Sequence, residues 1–304
     1  MSAKKMHDDE VSTDAALVRR LLSTQFPEWA GLEVAAVRSA GTDNALFRLG
    51  DDLVVRLPRI HWATGQVEKE NRWLPVLGPQ LPLAIPTPVA LGEPGDGYPW
   101  QWSIYRWLEG KNTVLEHMTD PQQTAMDLAC FIRALWEIDT TDGPPPGSHN
   151  SGRGEPLLQR EGRVREAIHA LQDTYDPASI TAIWESALDA PPWNKPPLWI
   201  HGDLQAGNLL AVDGELSAVI DFGCLGVGDP AVDIMTAWLY LTEDTRAVFR
   251  ASLPIDDAAW NRARGWALSF GLIALPYYRR TNPTLAGIAR RAIDETLVDW
   301  QSQN

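Results

Sequence analysis

The sequence predicts an α+β fold with a small, β-rich N-terminal part and a larger, mainly helical C-terminal part. Three short strand-like runs fall within residues 32–58, and apolar residues recur at helical spacing over much of 120–301. Within the helical part, residues 198–223 form short strand-like pieces. A chain of 304 residues is long enough for two such parts, which we expect at 1–107 and 108–304.

Composition limits the partners of this protein. Hydrophobic residues make up 44% of the chain, which excludes a wholly disordered protein. The net charge is −14, with no basic half to follow a nucleic-acid backbone, so we expect no nucleic-acid partner. Two cysteines fit a reducing compartment, and no stretch approaches 18 uninterrupted apolar residues. These features favour a soluble, cytoplasmic protein without a membrane partner.

The N-terminal helices and strands are predicted from capping and turn residues and from the spacing of apolar residues. A helix is expected over 15–26, capped by Ser12 or Thr13 and ended by Pro27. The strand-like runs 32–39, 44–50 and 52–58, the helix 63–77 and a strand within 98–110 follow it. Gly50 sits between two alternating runs and predicts a tight turn.

The C-terminal part begins with a helix over 120–137, which opens on the favourable pair Asp120-Pro121. The stretch 140–152 has the composition of a loop. Helices near 156–172 and 179–188 and a helical region over about 230–301 follow. Three prolines are expected to break that last region: Pro254, Pro276 and Pro283.

The chemistry-bearing segment is His201-Gly202-Asp203, with Asn208 five residues after the aspartate and Asp221-Phe222-Gly223 at the end of the next strand. This spacing is typical of a kinase catalytic loop followed by a metal-binding aspartate. Asp203 would orient the attacking hydroxyl, while Asn208 and Asp221 offer the hard oxygen ligands that Mg²⁺ prefers. A hairpin turning at residues 213–214 would bring the two ligands to one end.

HGDLQAGNLL and VIDFGCLGVGDPAVDI resemble the aminoglycoside phosphotransferase family. Gly202 stands where protein kinases usually carry arginine, and GDPAVDIMTAW at 228–238 is a second mark of the family. The resemblance covers nearly the whole chain. It implies a two-lobed protein-kinase-like fold and an ATP-dependent transfer of phosphate to a hydroxyl. Asp229 and Asp233 would fix the loop behind the metal site.

In the nucleotide lobe, the resemblance implies a phosphate-covering turn at Thr42, Asp43 and Asn44, although residues 39–44 hold only one glycine. The strand that follows should present a lysine to the phosphates. Arg56 occupies that place, and Arg59 is the alternative. Arginine is a bidentate phosphate donor, but this exchange is not neutral.

A helix glutamate should pair with that cation, and the resemblance favours Glu70 over Glu68. The strand WSIYRWLEG matches the adenine-binding hinge. Tyr105 would stand at the back of the pocket, and the backbone of Arg106 and Leu108 would bind the purine edge. The implied cofactors are Mg²⁺ and ATP, with GTP left open.

The acceptor is a hydroxylated small molecule. An aminoglycoside, and with it antibiotic resistance, follows from the resemblance, but residues 229–304 hold nine acidic and eight basic side chains and make no strongly acidic wall. Their aromatic residues would also suit a macrolide or another hydroxylated metabolite. A non-catalytic, pseudokinase-like nucleotide binder stays open because of Arg56. A protein kinase is disfavoured, since five residues between Gly223 and Asp229 leave no room for an activation loop.

Overall fold

The structure is a computed structural model, and it describes residues 10–37, 41 and 43–303. Thr42, one residue of the expected phosphate-covering turn, lies outside the described residues. The chain divides into two compact units, 1–80 with 84–109 and 81–83 with 110–304. In the part of the chain that the structure describes, no helix is both long and apolar enough to span a membrane.

The N-terminal unit is built on a five-stranded antiparallel sheet in the order β1-β2-β3-β5-β4. Its strands are β1 (Val34–Ala36), β2 (Asn44–Leu49), β3 (Leu53–Pro58), β4 (Pro88–Gly92) and β5 (Trp102–Arg106). Its helices are α1 (Ala15–Gln25) and α2 (Thr64–Leu77).

The core of this unit lies between α1 and the sheet. Leu21 and Leu22 of α1 are fully buried in one cluster with Val55, Trp102 and Ile104 of the central strands. Burial of such side chains contributes about 1.5–3 kcal/mol each.

The cap of α1 differs from the expectation. Asp14 begins the helix, and its carboxylate accepts a hydrogen bond from the Leu17 N–H at 2.7 Å. Ser12 and Thr13 were the wrong choice because the cap must lie directly before the first helical residue, and an aspartate occupies that position.

The C-terminal unit is mainly helical. Its helices are α3 (Pro121–Glu137), α4 (Glu161–Ala170), α5 (Pro177–Asp189), α6 (Ala231–Ile234), α7 (Thr236–Leu239), α8 (Glu243–Ala251), α9 (Asp257–Tyr278) and α10 (Pro283–Gln303). Its strands are β6 (Lys111–Asn112), β7 (Leu198–Ile200), β8 (Leu209–Val212), β9 (Glu215–Val219) and β10 (Gly226–Gly228). They form a β6-β8-β9 sheet and a β7-β10 pair.

Helix α9 lies at the centre of this unit and packs against α5, α6 and α10. Two glycines allow the close approach. A Cβ on Gly265 would lie 2.5 Å from Ala187 Cβ, and one on Gly271 would lie 2.6 Å from the carbonyl oxygen of Ala289. The predicted break at Pro276 is wrong: α9 runs through it to Tyr278. Packing of the long buried helix outweighs the one backbone hydrogen bond that a proline near a helix end removes.

Strands β8 and β9 form the expected hairpin. Asp213 and Gly214 turn it, with φ of +52° and +80°. Leu209 pairs with Val219 at the open end, so the residues just outside this pair are brought together. The hairpin thereby fixes where Asn208 and Asp221 lie.

Replacing Gly214 by alanine is expected to destabilise the protein by about 1–3 kcal/mol, because the left-handed backbone strains any side chain there. The added Cβ would also lie 2.5 Å from Thr119 Cγ2. Urea unfolding measures the change. Gly287→Ala in α10 is the matched control, since its new Cβ meets nothing within 4 Å, and it should be neutral or stabilising. Equal free energies of unfolding for the two variants would contradict the prediction.

Candidate active site

The catalytic-loop segment is held by one buried carboxylate. Asp233 of α6 is fully buried, and its two oxygens accept the backbone N–H groups of His201 at 2.8 Å and Gly202 at 2.7 Å. Burial raises the pKa of Asp233 to about 7, and the two hydrogen bonds oppose that rise. The φ of Gly202 is +83°, and an added Cβ would lie 2.7 Å from the Cys224 carbonyl oxygen. The Gly after His201 is therefore required by the backbone.

His201 has a structural role. Its Nδ1 accepts the Asp203 N–H at 3.2 Å, so Nε2 carries the proton and donates to the Ile220 carbonyl at 3.0 Å. The ring packs edge-on against Phe222 with centroids 4.6 Å apart. Burial lowers the pKa of His201 to about 4. The neutral ring thus ties the catalytic loop to the end of β9.

Asp203 is fixed by a neighbouring amide and guanidinium. Asn208 Nδ2 donates to the Asp203 carbonyl and to its Oδ2, both at 2.9 Å, and Arg153 Nη2 lies 3.6 Å from its Oδ1. Burial raises the pKa of Asp203, the Arg153 charge opposes this, and the Asp221 carboxylate raises it further. An oriented carboxylate with a raised pKa is suited to accept a proton from a hydroxyl.

Asp221 stands in a strained conformation. Its φ is +64°, a region that residues other than glycine rarely adopt, and its Oδ1 accepts the Gly223 N–H at 3.4 Å. The Ile220 N–H donates to the Asn208 carbonyl at 2.9 Å, which places Asp221 beside Asn208. Such strain costs on the order of 1–3 kcal/mol and clusters at functional sites.

Asn208 and Asp221 fit a magnesium ion. Both amide protons of Asn208 are used on Asp203, which leaves its Oδ1 for another partner. No group of three or more histidine, cysteine or acidic side chains among the described residues is arranged to hold a metal. Mg²⁺ commonly takes only one or two protein oxygens and completes its shell with phosphate and water.

Asp229 anchors the segment that follows. Its carboxylate accepts Arg262 Nε at 2.7 Å and Nη2 at 3.2 Å, and both side chains are buried. It also accepts the Ala231 N–H at 3.0 Å at the start of α6. This pair ties α6, and with it Asp233, to α9.

The N-terminal unit carries a second buried cluster. Arg56 Nη1 of β3 is paired with Glu70 Oε2 of α2, and Tyr105 of β5 donates its hydroxyl proton to the same oxygen at 2.6 Å. Burial, and next the Glu70 charge, raise the pKa of Tyr105. Glu68 is exposed and Glu70 is fully buried, so the helix presents Glu70 to the strand.

The side chains around Arg56 extend this cluster. Gln66 Oε1 accepts Arg56 Nη2 at 3.2 Å. With its amide oxygen turned to the guanidinium, Asn44 accepts Nη2 at 2.9 Å and Nε at 3.2 Å. Arg59 lies just beyond β3, where its N–H donates to the Asp43 carbonyl at 2.7 Å.

The remaining predicted nucleotide residues lie at the ends of strands. The Asp43 carboxylate accepts the Trp62 indole N–H at 3.3 Å. The Arg106 N–H donates to the Thr87 carbonyl at 2.9 Å, so that donor is already used inside the unit. Leu108 follows β5 in the last residues of the unit. Their roles toward a nucleotide stay predictions.

No role was predicted for Arg153, which directly follows the stretch 140–152 that was expected to be a loop. Its side chain is about nine-tenths buried, and it faces Asp203 from 50 residues away in the chain. The signal that could have found it is SGRGEP, an arginine held between two glycines. Gln205 was also missed; its Oε1 accepts the Gly207 N–H at 2.6 Å and shapes the catalytic loop.

Glu70→Gln is expected to lower the free energy of unfolding by about 3–5 kcal/mol, because it leaves Arg56 buried without its counter-charge. Urea unfolding followed through both units measures the loss. Glu68→Gln, two residues earlier and exposed, is the control and should change stability by less than about 0.5 kcal/mol. A similar small change in both variants would contradict the buried pair.

Stability should fall on acidification because of His201. Its folded pKa of about 4 lies below the ordinary 6.5, so the unfolded chain takes up the proton first as pH falls. The neutral His201 ring therefore contributes its full share to the free energy of unfolding above about pH 6.5, and this share is lost toward pH 4. About 2 kcal/mol is lost between pH 7 and pH 5. Urea unfolding at both pH values, for the protein and for His201→Gln, measures it. Identical pH dependence in the two proteins would refute a neutral, buried His201.

The fold of this chain is similar to that of several solved structures. The GDP complex of a point mutant of aminoglycoside 2′-phosphotransferase-IIIa matches with a TM-score of 0.74 at 19% identity, over 96% of this chain and 100% of that one. The GDP and kanamycin complex of APH(2″)-IIIa gives a TM-score of 0.69 at 20% identity, covering 93% and 98%. Macrolide 2′-phosphotransferase MphH from Brachybacterium faecium gives 0.59 at 21%, covering 92% and 98%.

These structures establish the two-part kinase-like fold predicted from the sequence, with its antiparallel sheet and its helical C-terminal part. No curated protein matches the chain in sequence. Residues 34–266, which include Arg56, Glu70, Asp203, Asn208 and Asp221, match the APH family, described as the phosphotransferase enzyme family. The chain therefore belongs to the APH phosphotransferase family and is a small-molecule kinase.

Proposed function

We propose that this enzyme transfers the γ-phosphoryl group of Mg-ATP to a hydroxyl of a small molecule, with Asp203 as the catalytic residue. The observation that carries the proposal is the local geometry of Asp203. Asn208 donates a hydrogen bond to the Asp203 carboxylate, and Asp233 holds the backbone of the catalytic loop at His201 and Gly202. Burial raises the pKa of Asp203. A proton acceptor of this kind is what the attacking hydroxyl needs.

The reaction is a direct, in-line displacement. The acceptor oxygen forms a bond to the γ-phosphorus while the bond from that phosphorus to the β–γ bridging oxygen breaks. The hydroxyl proton passes to the Asp203 carboxylate and from there to water, and the nucleoside diphosphate leaves. No phosphorylated enzyme is formed in this scheme, since the nucleophile is the acceptor itself.

Asn208 and Asp221 would hold Mg²⁺ through Oδ1 and the carboxylate. When bound, the ion would neutralise charge on the β- and γ-phosphates. The strain at Asp221 is consistent with a residue whose position serves a ligand.

Arg56, braced by Glu70, would neutralise the α- and β-phosphates in place of a lysine. Its guanidinium carries a fixed positive charge, which takes the place of the lost ammonium. Thr42, Asp43 and Asn44 would cover the phosphates, while Tyr105, Arg106 and Leu108 would border the purine. ATP is the proposed nucleotide; GTP is the alternative, because two of the structural neighbours were solved with GDP.

Two acceptor classes come from the relatives. An aminoglycoside, the acceptor implied by the sequence resemblance, is supported by the neighbour solved with kanamycin, and a macrolide by MphH. A role in antibiotic resistance belongs to this proposal and depends on which acceptor is used. A cytoplasmic location is also part of the proposal.

Asp203→Asn should lower kcat by about 10²–10⁴-fold, because the amide keeps the shape of the side chain but cannot take the proton. Release of ADP or GDP in a coupled assay, with a panel of hydroxylated acceptors, measures it. Nucleotide affinity should be unchanged. Asp213→Asn, at the exposed hairpin turn where asparagine tolerates the positive φ, is the control and should keep full turnover.

Full turnover in Asp203→Asn would reject Asp203 as the catalytic residue. Tight Mg-nucleotide binding by the unaltered protein, with no acceptor-dependent release across the panel, would mean that the panel lacked the right acceptor. Absence of Mg-nucleotide binding would instead support the non-catalytic alternative that Arg56 left open.

A further inference from the structure

We propose that the acceptor carries an oxyanion, a carboxylate or a phosphate, and that Arg160 and Arg163 bind it, with Arg153 adding positive charge behind them. This inference rests on the proposed phosphotransfer and names the chemistry of its acceptor. The three arginines lie in one short stretch of the C-terminal unit, from the end of the loop 140–152 to the first turn of helix α4.

A cavity of about 230 Å³ opens on this stretch. Its lining residues come from the segment 147–160 and the first turn of α4: Gly147, Ser148, Ser151, Gly152, Glu155, Gln159, Arg160 and Arg163. We call it the arginine pocket. It is smaller than the roughly 300–1,000 Å³ of drug-sized ligand sites. A sugar acid or a sugar phosphate suits it better than a macrolide.

Arg153 is a buried cation with donors to spare. It is 8% exposed, and neither its Nε nor its Nη1 has a hydrogen-bond partner. Its Nη2 lies 3.6 Å from Asp203 Oδ1, a distance that leaves even this contact loose. A buried guanidinium with unpartnered donors is costly, and an anion held close to it would offset its charge.

Arg160 adds a second cation beside it. Its guanidinium lies 4.8 Å from the centroid of Trp266, whose ring Arg153 also faces at 5.8 Å. Its Nε donates to Ser269 at 2.9 Å. Burial, and next the charges of Arg153 and Arg163, lower the pKa of Arg160 to about 9. The three guanidiniums therefore repel one another, and an oxyanion would relieve that repulsion.

Few carboxylates offset these charges. Glu155 is the acidic residue among those lining the pocket. Glu161 is turned elsewhere, since it accepts the Trp184 indole N–H and Arg165 Nε. With Asp203 counted as well, two carboxylates face three arginines, in a chain whose net charge is −14. A polycationic acceptor would meet like charge here.

The arginine pocket adjoins the catalytic loop. A Cβ on Gly202 would lie 3.2 Å from Arg153 Cβ, and the turn 148–150 packs against the turn 222–224 that follows Asp221. An acceptor held by its oxyanion could thus present a hydroxyl to Asp203. The arginines would act as specificity-determining residues.

Matched acceptors test the charge directly. We expect kcat/KM for gluconate or glucose 6-phosphate to exceed that for glucose, and for kanamycin, by at least about 10-fold, and Asp203→Asn to abolish the turnover. Comparing gluconate with glucose 6-phosphate shows whether the bound oxyanion is a carboxylate or a phosphate. Turnover that depends on Asp203 but prefers glucose or kanamycin would overturn the inference and leave the phosphotransfer intact.

A binding measurement decides the matter without turnover. Inorganic phosphate is titrated calorimetrically into the full-length protein saturated with Mg-ADP. Arg160→Gln should weaken binding at least about 10-fold. Arg165→Gln, five residues later on α4 and paired with Glu161 and Glu185 outside the pocket, is the control and should bind as the unaltered protein does. Absent binding, or equal affinity in Arg160→Gln, would overturn the inference whatever the enzyme phosphorylates.

Discussion

The rest of the site depends on the Asp233 carboxylate that accepts two backbone N–H groups in the middle of the C-terminal unit. Those bonds set the backbone of His201 and Gly202, and the sharp turn at Gly202 then delivers Asp203 to Asn208. Removing a buried carboxylate from such bonds would leave both donors unpaired, which is why the arrangement is stable despite the cost of burial. Asp229 and Arg262 hold the same helix from the other end.

Each unit buries arginine side chains, but the two units differ in how those charges are balanced. In the N-terminal unit, Glu70 and amide oxygens accept hydrogen bonds from Arg56, so its charge is balanced without a ligand. In the C-terminal unit, Arg153 and Arg160 share an aromatic surface and few carboxylates. The first cluster stabilises its own unit, whereas the second leaves positive charge unbalanced beside the catalytic aspartate. The contrast is the physical ground for treating the arginine pocket as a place for an anion.

The sequence predicts what is local. The hairpin turn at Asp213 and Gly214 and the spacing from His201 to Asp221 can be read directly from the chain, and the resemblance to the family followed from that spacing. Helix ends were less predictable: Asp14 rather than its neighbours caps α1, and packing carries α9 through Pro276. The choice between Glu68 and Glu70 depended on which face of α2 packs against the sheet, and this is seen only in the folded chain.

The motif SGRGEP marks the place of Arg153, but its role could not be predicted from the sequence because that role depends on Asp203, 50 positions away and brought near by the fold. The nucleotide roles of Thr42, Arg106 and Leu108 are also hard to predict from the sequence, because recognition by backbone groups leaves little trace in side-chain identity. Charge at the acceptor is likewise a property of the folded chain. Counting acidic residues over 229–304 gives near balance, while the arginines that matter lie before that range.

The most direct test of the central claim follows the phosphorus itself. Protein is mixed with Mg-ATP labelled at the γ-phosphate with ³²P and with gluconate, glucose 6-phosphate, kanamycin, erythromycin or no acceptor, and the label is located after separation. The account predicts label on an added small molecule and none bound to protein, because transfer is direct. Label carried by the protein, or released only as inorganic phosphate with every acceptor, would contradict it.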